Sequence, residues 1–144
     1  MSYGWEPDDI VQIINDLKEN NEDASLKIID KSLEKTALEL GKKYRDNDYP
    51  NINLTNFISR FYGNNENISI IKKDQNEVIV KTNKCKIFEI FKSLKRTDIG
   101  FQYKCRQDYF ILKGYDNNCS LEIEKSLMKG DECCIHHYFN NKKA

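Results

Sequence analysis

The segment Cys119-Ser120-Leu121-Glu122-Ile123-Glu124-Lys125, the turn Lys129-Gly130-Asp131 and the return stretch Glu132-Cys133-Cys134-Ile135-His136-His137-Tyr138-Phe139 decide how this chain folds. Cys119, Leu121 and Ile123 alternate with Ser120, Glu122 and Glu124, the period of two of a half-buried strand. Lys129-Gly130-Asp131 supplies turn chemistry, and Glu132 to Phe139 runs back as a second strand. Cys133, Ile135, His137 and Phe139 then share one side, and Cys134, His136 and Tyr138 the other. The first set is the more apolar and is expected to be the core face.

Towards the N-terminus the same alternation recurs. Ile68, Ile70 and Lys72, then Val78, Val80 and Thr82, read as two strands joined by Asp74-Gln75-Asn76. Before Asn67 the period is helical. Asp8 or Asp9 caps a helix carrying Ile10, Ile13, Ile14 and Leu17. The pattern breaks at Asn20 to Asp23, and a longer helix follows with Leu26, Ile29, Leu33, Ala37, Leu40 and Tyr44 in one stripe. Asp46 to Pro50 reads as a loop, because Pro50 disfavours helical geometry at Tyr49. A short helix from Asn53 buries Leu54, Phe57, Ile58 and Phe61 and stops at Gly63. Lys84 to Leu94 is helical, with Ile87, Ile90, Phe91 and Leu94 buried. Ile99 to Leu112 reads as a helix broken at Gly114, although its aromatics also suit a strand. Tyr3 and Trp5 form an aromatic N-terminus expected to pack onto the domain, and Asn140 to Ala144 is a polar tail. The expected architecture is α+β, a helical N-terminal half packed on an antiparallel sheet of about four strands.

The 144 residues, 39% of them hydrophobic, suit one domain over 1–144 with one core. The 23 basic and 23 acidic residues cancel, which argues against a nucleic-acid partner. No run approaches the roughly 20 apolar residues that span a bilayer, so no membrane partner is expected. The first residues lack the basic-then-apolar order of a secretory signal. A cytoplasmic location with reduced thiols is expected, and the odd count of five cysteines agrees with it.

Cys105-Arg106-Gln107-Asp108-Tyr109 and the stretch from Lys129 to His137 together hold three of the five cysteines and both histidines. On a helix Cys105 and Asp108 share a face with Phe101 and Leu112, a thiol and a carboxylate beside apolar surface. Asp108 would raise the thiol pKa, so a reactive Cys105 needs His136, His137 or a cation nearby. The alternative is Cys105 as a small buried hydrophobe and Asp108 as a cap or surface charge. Cys133-Cys134-x-His136-His137 lacks the Cys-x2-4-Cys spacing of zinc ribbons, and adjacent strand cysteines point to opposite faces. Cys134 and His136 do share a face, and Cys105, Asp108 or Glu124 would have to complete any metal site. No metal and no cofactor are expected.

Three pieces in order carry a family resemblance: Leu38-Glu39-Leu40-Gly41-Lys42-Lys43, then Ile99-Gly100-Phe101-Gln102-Tyr103-Lys104-Cys105-Arg106-Gln107-Asp108-Tyr109, then Leu121 to Cys134 with its Gly130-Asp131. The chain resembles the L-2-amino-thiazoline-4-carboxylic acid hydrolase family, whose members typically show Cys-x-x-Asp-Tyr followed by Thr-Leu-x-x-Gly-Asp-x-x-Cys-Asp-Phe. Cys105, Asp108, Tyr109, Leu127, Gly130, Asp131 and Cys134 match. Ser126 replaces the threonine, Ile135 the aspartate and His136 the aromatic, so a role for His136 is not inherited. A wider likeness runs to vinyl-reductase-type small-molecule-binding domains, and implies a similar fold. Their zinc-containing sensors have a cysteine where this chain has Ser126, so that metal site does not transfer.

The resemblance implies hydrolysis of a C–N or C–S bond in a small cyclic substrate. Cys105 would be the nucleophile, His136 the base or acid, and Asp108 the orienting group, with Phe101, Tyr109, Glu124 and Cys134 lining the substrate. The alternative is a non-catalytic vinyl-reductase-type ligand-binding or sensor module. A third expectation is a homodimer paired through the Leu26 to Tyr44 stripe.

Overall fold

The computed structural model describes residues 6–19 and 22–141, and the side chains of residues 17–18 and 22–26 lie outside that description. Tyr3, Trp5, the break at Asn20, the end of the polar tail and the side chains of Leu17 and Leu26 therefore fall outside it. Helix α1 (Pro7–Lys18) opens on Pro7, whose missing N–H is harmless at a first helical position. Asp8 and Asp9 stand in its first turn, where they complement the helix dipole instead of capping. Ile10, Val11 and Ile14 are buried.

Helix α2 (Glu22–Asp48) continues through Asp46 to Asp48, where the sequence predicts a loop. Its last turn is tied down from two directions. Asp48 accepts hydrogen bonds from Arg60 Nε at 2.9 Å and from the Tyr115 hydroxyl at 2.7 Å. Helix α3 (Leu54–Tyr62) begins and ends as expected, with the Asn53 side chain accepting from the Asn56 N–H at 2.8 Å and Gly63 closing the last turn.

Strands β1 (Ile68–Lys73), β2 (Glu77–Thr82), β3 (Cys119–Lys125) and β4 (Cys134–Asn140) form one antiparallel sheet in the order β1-β2-β4-β3. Asp74 shapes the first turn by accepting from the N–H groups of Asn76 and Glu77. Helix α4 (Lys86–Ser93) buries Phe91, but Ile90 is exposed and not buried as expected. The short α5 (Thr97–Ile99) runs into a π-helical segment (Gly100–Cys105), then α6 (Gln107–Tyr115). The helical alternative for this stretch is the one the chain adopts.

Gly114 does not break that helix. It lies inside α6, where α6 crosses α2. A Cβ on Gly114 would sit 2.2 Å from the Leu38 carbonyl oxygen, and one on Gly41 would sit 2.0 Å from that of Ile111. Two glycines therefore let two helix backbones touch. Helix α6 also packs on β3, so it links the long helix to the sheet.

The apolar residues gather in two clusters. One joins Ala37, Phe57, Val78, Val80, Ile111, Tyr115, Leu121 and Tyr138, and the other joins Ile10, Ile14, Leu33, Phe91, Tyr103 and Met128. Ile29, Leu33 and Ala37 are buried within the chain. The stripe expected to pair two subunits is therefore consumed by the protein's own core. Strand β4 is turned over relative to expectation. Tyr138 is fully buried and Cys134 is buried, whereas His137 and Phe139 lie on the other face. Among the described residues no helix is long and apolar enough to cross a membrane.

An alanine at an ordinary helix glycine stabilises by up to about 1 kcal/mol. At Gly114 the sign should reverse, because the new methyl meets backbone. Gly114→Ala is expected to lose about 1–3 kcal/mol, read as a lower urea midpoint at unchanged slope. An equal or higher midpoint would show that the helix contact is dispensable.

Candidate active site

The π-helical segment sets the geometry of the first motif. Arg106 N–H donates to the Phe101 carbonyl at 3.3 Å, an i to i−5 bond that accommodates one extra residue in the turn. Cys105 is the last residue of that segment, and Asp108 stands in the first turn of α6. Asp108 is buried, only 8% exposed, and thus not a surface charge. Its Oδ2 lies 3.8 Å from Nδ1 of His136 on β4. That Nδ1 is 3.2 Å from the Tyr62 hydroxyl, which lies 2.6 Å from the hydroxyl of Tyr138.

The second motif builds a loop. Gly130 takes φ 92°, a left-handed conformation in which glycine is unstrained, and its N–H donates to the Leu127 carbonyl. Asp131 accepts from the Ser126 N–H at 2.8 Å and returns its own N–H to the Ser126 carbonyl at 3.1 Å. The Leu127 N–H donates to Cys134 Sγ at 3.3 Å. Gly130 and Asp131 thus position Ser126 and Cys134. The Ser126 hydroxyl, itself buried, hydrogen-bonds with the thiols of both Cys105 and Cys134.

Burial dominates the electrostatics here. It pushes the Asp108 carboxyl up to about 8, against the pull of the Lys104 ammonium. Burial also lowers His136 to about 4. The Cys105 thiol is driven far above its usual value, first by burial and then by Asp108, Cys134 and Cys85. Near neutral pH the pair therefore holds a protonated carboxyl and a neutral imidazole beside a protonated thiol. Lys104, buried next to these groups, is pulled down by desolvation, although Glu6, Asp108 and Cys105 favour its charge.

Of the residues expected at the site, the structure brings Asp108 and His136 together, and Cys105 and Cys134 around Ser126. Phe101 and Tyr109 are half-buried and pack against different clusters, with Lys129 Nζ 4.1 Å from the centre of the Phe101 ring. Glu124 stands apart on the outer face of the sheet. There His137 donates from Nδ1 to Glu124 and from Nε2 to Glu77, both at 2.7 Å. Burial opposes its ionisation, but the two carboxylates outweigh that and raise the His137 pKa. Tyr62, Ser126 and Lys104 are the contributors that sequence reasoning missed. Lys104 and Ser126 border the motifs and were open to notice, but nothing local marks Tyr62 at the end of α3. Among the described residues, no three His, Cys, Asp or Glu side chains are placed to hold a metal ion.

Residues 6–138 match the family described as L-2-amino-thiazoline-4-carboxylic acid hydrolase. The chain belongs to that family. No curated protein and no solved structure matches it, and the wider vinyl-reductase likeness finds no support in these comparisons. In this hydrolase-family chain the Cys-x-x-Asp-Tyr element supplies a thiol and a carboxyl. The Gly-Asp-x-x-Cys element supplies the loop that meets them.

Asp108 has a folded pKa above its unfolded one, so its contribution to stability is complete below about pH 4 and is lost as pH rises through about 8. Asp108→Asn, which has no carboxyl to ionise, should melt higher than wild type at pH 8, with the advantage shrinking at pH 5. Melting curves at both values check this, and an equal difference at both would refute the buried neutral carboxyl.

Proposed function

We propose that this family member hydrolyses a C–N or C–S bond in a small cyclic, thiazoline-like substrate, with Cys105, Asp108 and His136 as the reacting groups. The observation that carries the reading is the buried pair, a carboxyl raised to about 8 and an imidazole lowered to about 4, at 3.8 Å. Environments that push two titratable groups apart produce an acid and a base at the same pH. A separation slightly beyond hydrogen-bond reach is ordinary for a site without substrate.

In this mechanism the Cys105 thiol gives its proton to neutral His136 as sulfur bonds to the electrophilic ring carbon. Protonated Asp108 then donates to the nitrogen or sulfur that leaves as the ring opens. Water attacks the sulfur-bound intermediate, releases Cys105 and restores both protons. Phe101, Tyr109 and Cys134 would line the substrate. Glu124, on the opposite face of the sheet, has no part in it.

The high thiol pKa of Cys105 favours a second reading, a vinyl-reductase-type module that holds a small ligand without turnover. Assay of 2-amino-thiazoline-4-carboxylate opening separates the two. Under the enzyme reading, Cys105→Ser and His136→Ala lower kcat/KM by about 100-fold or more. The rate should hold between about pH 4 and 8, failing below as His136 gains a proton and above as Asp108 loses one. Asp108→Asn should flatten the alkaline limb. Binding without ring opening would favour the second reading, and full activity in Cys105→Ser would remove the thiol from the mechanism.

A further inference from the structure

Gln107 precedes Asp108 on α6 but lines a different space. It is 4% exposed, and its Nε2 is buried without a hydrogen-bond partner. Leaving such a donor unpaired is unfavourable, and buried amides are nearly always satisfied. Gln107 lines a cavity of about 100 Å³ between α2 and the π-helical segment. Leu33 and Tyr103, both buried, line it as well. Asp30, Glu34 and Arg106 complete the charged part of the lining, and none of the three makes an ion pair among the described residues.

These groups ask for a ligand of both charges. The Gln107 amide and the Arg106 guanidinium are donors, suited to a carboxylate. Asp30 and Glu34 would repel a simple anion but would receive an ammonium group. A cation alone would leave the Gln107 amide unpaired. The volume holds about three water molecules' worth of ligand at roughly 30 Å³ each, which limits the occupant to the smallest amino acids. We infer that this cavity binds a small zwitterionic α-amino acid, its carboxylate on Gln107 and Arg106 and its ammonium on Asp30 and Glu34. The site is separate from the Asp108–His136 pair, and its occupancy is read without any hydrolysis assay.

The test titrates the full chain with L-serine and follows its amide and side-chain resonances by NMR. Ethanolamine, which lacks the carboxylate, and 3-hydroxypropanoate, which lacks the ammonium, serve as matched probes. Saturable shifts centred on Gln107 and Arg106 are expected with L-serine, with affinity at least about tenfold weaker for either probe. Arg106→Ala, a change at an exposed residue, should weaken L-serine by about as much. Gln107→Leu should abolish binding while raising the melting temperature of the ligand-free protein, since it removes the unpaired amide. Equal affinity for 3-hydroxypropanoate and L-serine would overturn the zwitterion assignment in favour of a plain anion site. No saturable shift with L-serine, or binding unchanged in both variants, would overturn the site itself.

Discussion

The contact between Gly41 and Gly114 is the constraint on which the rest depends. At that crossing the Leu38 and Ile111 carbonyls approach positions that any side chain would occupy. The close approach fixes both the separation of α2 and α6 and the rotation of α6 about its own axis. Rotation matters because successive residues of α6 face different neighbours. Ile111 and Leu112 enter the core with Tyr115, Asp108 turns towards His136, and Gln107 turns towards the cavity beside α2. The Asp48 carboxylate, shared by Arg60 and Tyr115, pins the far end of the same packing.

Much of this architecture is legible in the sequence, because burial imposes simple periods on it. The stripe through Ile29, Leu33 and Ala37, the Asn53 to Gly63 helix and the strands around Val78 and Leu121 all follow from spacing alone. The inner face of β4 does not. Cys133, Ile135 and Phe139 look more apolar than Cys134, His136 and Tyr138, yet the second set faces the core. Its polar atoms find partners there: Tyr138 and His136 through Tyr62, and Cys134 through Leu127 and Ser126. A hydrophobicity count along one strand cannot foresee partners contributed by α3 and a loop. Gly114 misleads for the opposite reason, since a glycine that breaks helices by propensity serves here as a contact surface.

The candidate site is visible in the sequence as residue types and only partly as geometry. The pairing of Cys105 with Asp108, and of Cys134 with His136, comes from spacing within each element. That Asp108 meets His136 depends on how α6 lies over the sheet, which no local pattern encodes. The substitution of His136 for the family's usual aromatic then gains significance. An imidazole placed beside a buried carboxyl gives this member a proton acceptor that an aromatic ring would not provide. Keeping both groups neutral inside the protein resolves the electrostatic problem of burying them.

The π-helical turn from Gly100 to Cys105 gives this arrangement an evolutionary dimension. An α-helix advances about 100° per residue, and a π turn absorbs a single inserted residue without unwinding the helix beyond it. Removing one residue between Gly100 and Cys105 would restore a regular helix and swing the preceding segment around the axis of α6. Phe101 and Tyr103 would trade faces while α6 stayed anchored on α2. The turn thus acts as a phase adjuster, allowing the Cys105 wall and the Asp108 wall to diverge independently. Related chains that differ by one residue here would then be expected to differ in what they hold and not in how they fold.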